Sequence, residues 1–474
     1  MKGIMSINTE KTNAFFGKCE ISFKFSFLIL CLINFNAFTF GNKIASFFVI
    51  TTLALAGVCL VGRVLNYKHY VSKSFFLVLL FLISYVVSLA LTISYGYLEP
   101  TKTFIWLALH LFLLFVTDDR KSMSEYKRKI TPIFCFYTFV MFVSSTASIV
   151  LMFLKYSNIR YFGNIRIISG FTWGRLWGVY TDPNYASVMA IICVLISLYF
   201  TKTATKLFFR VFNIINIVVQ FMYICFSDSR TGLVTLFVAV FVYTLLLGLK
   251  REGRICKWGK TLLSVLLALL VGVFSVFSVS ALKTGYNLYI SSIAQQDSNN
   301  NVDSESNVDD NPELSVGREQ DIKGDISNRR FDLWKSGLET VITRPLFGIS
   351  FNNLVPYVME HLPNTYLVNN DHGVFNNYHN AWINILVGQG FIGFAIFLLL
   401  GVVLGIKSIK RIAKRHSKED GAMYIVCFSI VIASLVSSLF LQELVYTLSP
   451  NTYMFWLLLG VLVSKNPKKD GEQV

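Results

Sequence analysis

Twelve stretches of this chain are apolar over about the length that a helix needs to cross roughly 30 Å of hydrocarbon, about 20 residues. They fall near 22–40, 44–62, 75–96, 101–117, 129–154, 184–202, 206–226, 229–249, 260–284, 381–406, 422–442 and 447–464. The first is interrupted by Asn34 and Asn36, and the fourth is short and carries His110. The pattern predicts an all-α polytopic transmembrane helical bundle of about twelve spans. Residues 1–284 hold spans one to nine and a connection at 155–183. Residues 285–380 form a large loop between spans nine and ten, 381–464 hold the last three spans, and 465–474 are a polar tail.

Composition agrees with the pattern. Hydrophobic residues make up 54% of 474 positions and charged ones 15%, with a mean hydropathy of +0.56, which excludes an ordinary soluble globule. The net charge of +16 would suggest a nucleic-acid partner if its distribution did not explain it. Basic residues crowd alternate short connections: Arg63, Lys68 and Lys73; Arg120 to Lys129; Lys202, Lys206 and Arg210; Lys250 to Lys260; Lys407 to Lys418; and Lys465 to Lys469. The positive-inside rule makes that side cytoplasmic. Both termini then lie inside, the loops 155–183 and 285–380 outside, and no nucleic acid is expected. No small-residue cleavage site follows the first apolar run, so it reads as an anchor. None of the eight cysteines lies in the long loop, so neither a disulfide framework nor a thiolate metal site is indicated.

The two external loops carry the candidate chemistry. The first holds Arg160, Arg166, Arg175, Trp173 and Trp177, and positive charge on the outer side points to an anion. For Arg160 and Arg166 an interfacial role weighs as much. The second loop begins with a polar, acidic insert at 291–327, expected to be disordered. An amphipathic helix at about 329–346 follows, its apolar positions Phe331, Trp334, Leu338, Val341 and Ile342 at helical spacing and its end set by Pro345 and Gly348. Thr181-Asp182-Pro183-Asn184 caps the sixth span. Ser229-Arg230-Thr231-Gly232 opens the eighth and leaves Arg230 at the positive end of a helix dipole, where phosphate binds readily. His379-Asn380 stands at the mouth of the tenth span, a place for a general base. Gly388, Gly390 and Gly393 further along would let another helix approach closely. No nucleotide-binding or metal-ligand motif is present.

The order RLWGVYTDPN, SRTG, RFDLW and HN followed nine residues later by GFIG, in a twelve-span chain whose largest loop precedes the histidine, resembles the bacterial O-antigen ligase and polysaccharide polymerase superfamily over roughly 170–395. The acidic insert and Gly388, where members often carry an acid, depart from the family pattern. The resemblance implies that Arg230 and Arg330 bind the pyrophosphate of an undecaprenyl-linked saccharide and that His379 assists the acceptor hydroxyl. Arg175, Asn184, Ser229, Arg329, Trp334 and Asn380 are the accompanying substrate-binding candidates.

The resulting expectation is an inverting glycosyltransferase of the bacterial plasma membrane with its site on the external face. No cofactor, metal or nucleotide is expected. Its partners would be the undecaprenyl-pyrophosphate-linked oligosaccharide, membrane lipids and other polysaccharide-assembly proteins. A polymerase of capsular, exo- or O-antigen repeat units is favoured, with a ligase of finished glycan as the alternative. A non-enzymatic flippase should instead line a central cavity with charge.

Overall fold

The computed structural model describes residues 2–163, 165–250, 256–300, 314–317, 329–371, 373–414 and 416–464. In chain order the helices are α1 (Lys2–Asn34), α2 (Lys43–Leu65), α3 (Lys73–Leu91), α4 (Leu98–Leu109) and α5 (Met123–Phe153). Three strands follow, β1 (Ser157–Phe162), β2 (Ile165–Thr172) and β3 (Arg175–Gly178), then α6 (Pro183–Thr203), α7 (Leu207–Phe226), α8 (Arg230–Lys250) and α9 (Lys257–Asn300). The remainder comprises α10 (Arg330–Thr343), α11 (Leu354–His361), α12 (Ala381–Ala413), α13 (Lys418–Ser437) and α14 (Pro450–Val463).

Each of the twelve predicted runs coincides with a helix. Among the described residues, ten helices are long and apolar enough to cross a membrane, so the chain is an integral membrane protein built as an all-α bundle. The first and last runs do not meet both conditions: α1, long enough at 33 residues, carries Lys18, Glu20 and Lys24 into its apolar half, and α14 has only 14 residues. The chain divides into two compact units, one of Met1–Asn34, Gly41–Ile133 and Arg329–Val474, the other of Phe35–Phe40 and Phe134–Asn328.

In the first unit α12 is two helices joined at Gly390, whose φ of 64° and ψ of −170° break the helical path. The segment Pro345–Ser350 runs alongside the break and takes up the freed backbone groups. Phe391 N donates to Pro345 O (2.7 Å), Ile392 N to Leu346 O (3.1 Å), Ile349 N to Val387 O (3.0 Å) and Ser350 N to Gly388 O (3.0 Å). The glycines therefore admit close approach on two sides: the strap at Gly390, and, as expected, a second helix, α3, whose Ser88 Oγ donates to Gly388 O at 2.7 Å and whose Ser84 Oγ would stand 3.0 Å from a Cβ on Gly393. A Cβ on Gly390 would stand 2.4 Å from the Leu346 carbonyl, and one on Gly348 2.2 Å from Val387 O.

The amphipathic helix forms as α10, but its buried face is Leu333, Ser336, Gly337, Thr340 and Val341. Phe331, Leu338 and Ile342 are exposed. The reason is steric: Gly337 lies so close to α12 that a Cβ would meet Ile383 Cγ2 at 2.5 Å, so the smallest residue of the helix sets the contact. The eleventh span ends at Ser437 instead of 442, and at that end Ser437 Oγ and Ser438 Oγ donate to the carbonyls of Ser434 (3.0 Å) and Leu435 (2.7 Å). Residues 438–449 then run as irregular, largely buried backbone.

In the second unit the connection 155–183 is an antiparallel three-stranded sheet ordered β1-β2-β3. Two of its arginines are held by protein: Arg160 donates to the carbonyls of Ala37 and Phe40, and the Arg166 guanidinium lies 5.3 Å from the Trp173 ring. The acidic insert expected to be disordered over 291–327 is in part ordered. Helix α9 continues to Asn300. Val316 exchanges hydrogen bonds with the Asn287 side chain (2.7 and 2.8 Å), and Gly317 N donates to Gly174 O at 3.0 Å. Residues 301–313 and 318–328 lie outside the described residues.

Candidate functional site

The first unit holds both His379 and Arg330. His379 has a φ of 49°, and its amide is tied to Asn377 Oδ1 at 2.8 Å. Asn380, buried, caps α12 by accepting from Trp382 N (2.9 Å) and Ile383 N (3.2 Å). Ala381 N donates to Ser438 O at 2.9 Å, and Trp382 Nε1 to Ser438 Oγ at 3.0 Å. Two residues further on, Phe440 carries the Arg330 guanidinium at 5.6 Å from its ring centroid. Thus α10 brings Arg330 to Phe440, and the first two residues of α12, two and three positions after His379, bond Ser438; the His379 ring itself lies 6.1 Å from that of Phe375. The two helices are locked by Thr340 Oγ1 and the Tyr378 hydroxyl, 2.9 Å apart. Burial pushes that hydroxyl above its ordinary pKa, so it stays protonated as a donor.

Arg329 and Trp334 do not join them equally. Arg329 is exposed at the N-cap of α10, with φ 62°, and pairs with Asp332 at 3.4 Å. Trp334 packs into a core of Leu333, Val341, Tyr357, Val358 and Tyr378, so its ring serves packing. Nearby, a cavity of about 130 Å³ is lined by Phe351, Asn352, Leu354, Val355, Asn376 and Gln442. That is room for a phosphate or a hydroxymethyl group, not for a sugar chain.

The second unit collects the remaining candidates. Asp182 caps α6 through Asn184 N (2.6 Å) and Tyr185 N (3.3 Å), with Pro183 in the first turn. Buried Arg175 donates from Nε to Ser227 O and from Nη2 to Asn184 Oδ1, each at 2.9 Å. Ser229 Oγ donates to the same Asn184 oxygen at 3.0 Å and accepts from Gly232 N at 3.0 Å. Arg175, Asn184 and Ser229 are therefore one internal network that fixes the turn preceding α8. The position of Arg175 assigns it to holding that turn in shape. Arg230 follows as the first, half-buried residue of α8. Asp228, at φ 47°, is anchored by Lys283 Nζ at 2.7 Å.

Sequence reading missed the 438–449 segment. It supplies Ser438 and Phe440 to the site and holds Glu443, 1% exposed, whose carboxylate accepts from Ser437 Oγ and Asn451 Nδ2. A signal was available: Glu443 is the lone acidic residue between Asp420 and Asp470. Buried carboxylates are rare without partners.

No curated protein matches the chain. Residues 215–398, from α7 through the break in α12, match the family model described as O-antigen ligase, so this part of the chain is similar to that family.

Proposed function

We propose that this membrane glycosyltransferase of the ligase and polymerase type uses an undecaprenyl-pyrophosphate-linked saccharide as donor and joins repeat units of a capsular, exo- or O-antigen polysaccharide. The observation that supports this most is that Arg330 and the two residues opening α12 just after His379 pack on the same short segment, Phe440 and Ser438. A guanidinium fork matches phosphate oxygens bidentately, and the histidine precedes the cap of a membrane helix.

In the proposed reaction the acceptor hydroxyl oxygen attacks the anomeric carbon, and the bond from that carbon to the pyrophosphate oxygen breaks. The acceptor proton passes to His379, and the negative charge stays on the lipid pyrophosphate. Arg330 stabilises that developing charge, and Arg230, at the positive end of α8, binds phosphate of the same donor class. The configuration inverts, because attack and departure are on opposite faces. The donor already stores the energy of the new bond, so the reaction needs no nucleotide, and we assign no metal or cofactor to it. The site faces the external side of the bacterial plasma membrane.

The test is purified protein in lipid with a synthetic undecaprenyl-pyrophosphate oligosaccharide. His379→Gln should lower turnover by roughly 100- to 10,000-fold. Arg330→Ala and Arg230→Lys should each lose most activity with expression retained. Wild-type turnover in His379→Gln rules out the base, and a strict requirement for ATP overturns the assignment.

The description of the matching family favours a second reading, transfer of finished glycan to another acceptor. Deleting the gene in its host separates the two. Loss of long chains with single units retained indicates a polymerase; long chains left on the lipid carrier indicate a ligase. Loss of surface glycan with unpolymerised donor trapped inside would indicate a flippase.

A further inference from the structure

A second cationic site lies in the first unit, at the far end of the helix that begins beside His379. Helix α12 has 33 residues, so the positions from Lys407 on lie at the opposite end of it, at most about 40–50 Å from its start at 1.5 Å per residue. There a cavity of about 270 Å³ is lined by Lys407, Lys410, Arg411 and Lys414, and by His69 and Asp119 from across it. At about 30 Å³ per water, this volume holds a phosphate group with part of its substituent.

Three features separate this cavity from the ordinary basic edge of a membrane bundle. The four cations occupy two successive turns of one helix face and line a concave space, where charges at the edge of a span usually point outward into water. They face one carboxylate, and Asp119 Oδ1 already accepts His69 Nδ1 at 3.2 Å, so the lining carries a large positive excess. The opposite wall includes Ser72 and Ser74, where α3 begins. Ser72, the N-cap, makes no side-chain capping bond, so the dipole of a 19-residue helix adds to the positive field. Two cations are also braced in place: Lys407 Nζ donates to Ser74 Oγ at 2.5 Å, and Arg411 donates to Ser464 O with its guanidinium 5.7 Å from the Tyr424 ring. Braced cations around a cavity form a preorganised anion receptor, which binds at lower entropic cost than loose lysines.

We propose that this cavity binds a phosphate-bearing anion, at the end of the helix array opposite His379 and separate from the donor site. The chemistry is shared by a glycerophosphate headgroup of an anionic lipid and by a soluble phosphate, and the experiment tells them apart. Full-length protein in detergent is titrated with dihexanoyl phosphatidylglycerol, with dihexanoyl phosphatidylcholine and with inorganic phosphate, the last against chloride at equal ionic strength. Binding is read by native mass spectrometry and by the shift in thermal midpoint. Lys410→Gln/Lys414→Gln, both at exposed positions, should keep the monodisperse elution and unliganded midpoint of the wild type. It should bind the anion about 10- to 100-fold more weakly, the loss expected for charge-assisted hydrogen bonds. Arg411→Lys, which keeps the charge and loses the fork, should lie between.

Saturable phosphatidylglycerol binding that the double variant weakens, with phosphatidylcholine inert, supports a lipid headgroup. A midpoint raised by inorganic phosphate alone and abolished in the double variant supports a soluble anion. The proposal fails if neither probe saturates, or if wild type and double variant bind equally well. The donor assay with His379 and Arg330 variants is independent of each of these outcomes.

Discussion

Replacing Gly390 with alanine should damage the protein far more than one methyl group suggests. The backbone there has φ 64° and ψ −170°, a region open in practice only to glycine, where another residue costs about 1–3 kcal/mol. The new Cβ would also stand 2.4 Å from the Leu346 carbonyl, so the strap or the helix must move. Overpacking of this kind costs about 1–3 kcal/mol more. The sum, about 2–6 kcal/mol, is a large part of the roughly 5–15 kcal/mol that holds a folded protein together. The movement would strain the four backbone hydrogen bonds between Pro345–Ser350 and α12. Gly401, on the same helix, has nothing within 4 Å of a built Cβ, so Gly401→Ala should be neutral or stabilise by up to about 1 kcal/mol. The assay is the fraction of monodisperse protein left after heating, followed by size exclusion. Gly390→Ala should lower the midpoint by roughly 4–20 °C, and Gly401→Ala should leave it level or higher. If the two variants melt together and Gly390→Ala keeps full turnover, the strap does not secure the broken helix.

Arg175→Lys should lower thermal stability by about 1.5–3 kcal/mol, because an ammonium cannot span Ser227 O and Asn184 Oδ1 together; Arg344→Ala, which removes a half-buried donor to Leu91 O whose guanidinium lies 5.7 Å from the Tyr357 ring, should cost less, about 0.5–1 kcal/mol. Asn380→Ala removes a cap with two N–H acceptances and should cost about 1 kcal/mol, with kcat falling further than the loss of folded protein explains, since the cap holds His379 at φ 49°; Asn380→Ser should restore most of both. An Asn376→Cys probe should react with an impermeant thiol reagent on intact cells, and one at Ser417 only after permeabilisation; the reverse would invert the topology.

The helices were legible because hydrocarbon imposes one simple code, a run of apolar residues, and all twelve runs hold a helix. The caps were legible too, since Asp182-Pro183 and Ser229 act within three residues of themselves and their chemistry is local. What the sequence concealed was pairing at a distance. The hydrogen bonds of Phe391 and Ile392 with Pro345 and Leu346 are backbone to backbone, and no side chain announces them beyond glycines that also suit a helix contact. The sheet at 157–178 was concealed for a related reason: its strands are short, and its arginines drew attention to charge over alternation. On α10, helical spacing identified the element but not the buried face, because Gly337, which decides the contact, scores as neither apolar nor polar.

The same reasoning explains why the site falls where the helices stop. Helical residues satisfy their own backbone, so a helix end or break inside a bundle must find partners elsewhere. The first unit has three such places: the start of α12, the broken turn at Gly390 and the irregular run after Ser437. Each is satisfied by a fixed partner, Ser438 O for Ala381 N, the strap for Phe391 and Ile392, and Ser437 and Asn451 for the Glu443 carboxylate. A side chain mounted on such a junction cannot shift without breaking bonds that water does not replace there. Arg330 on Phe440 and the backbone of His379 before its cap are therefore held in place without a ligand, and in the proposed reaction the stabilisation of a leaving group would depend on that preorganisation.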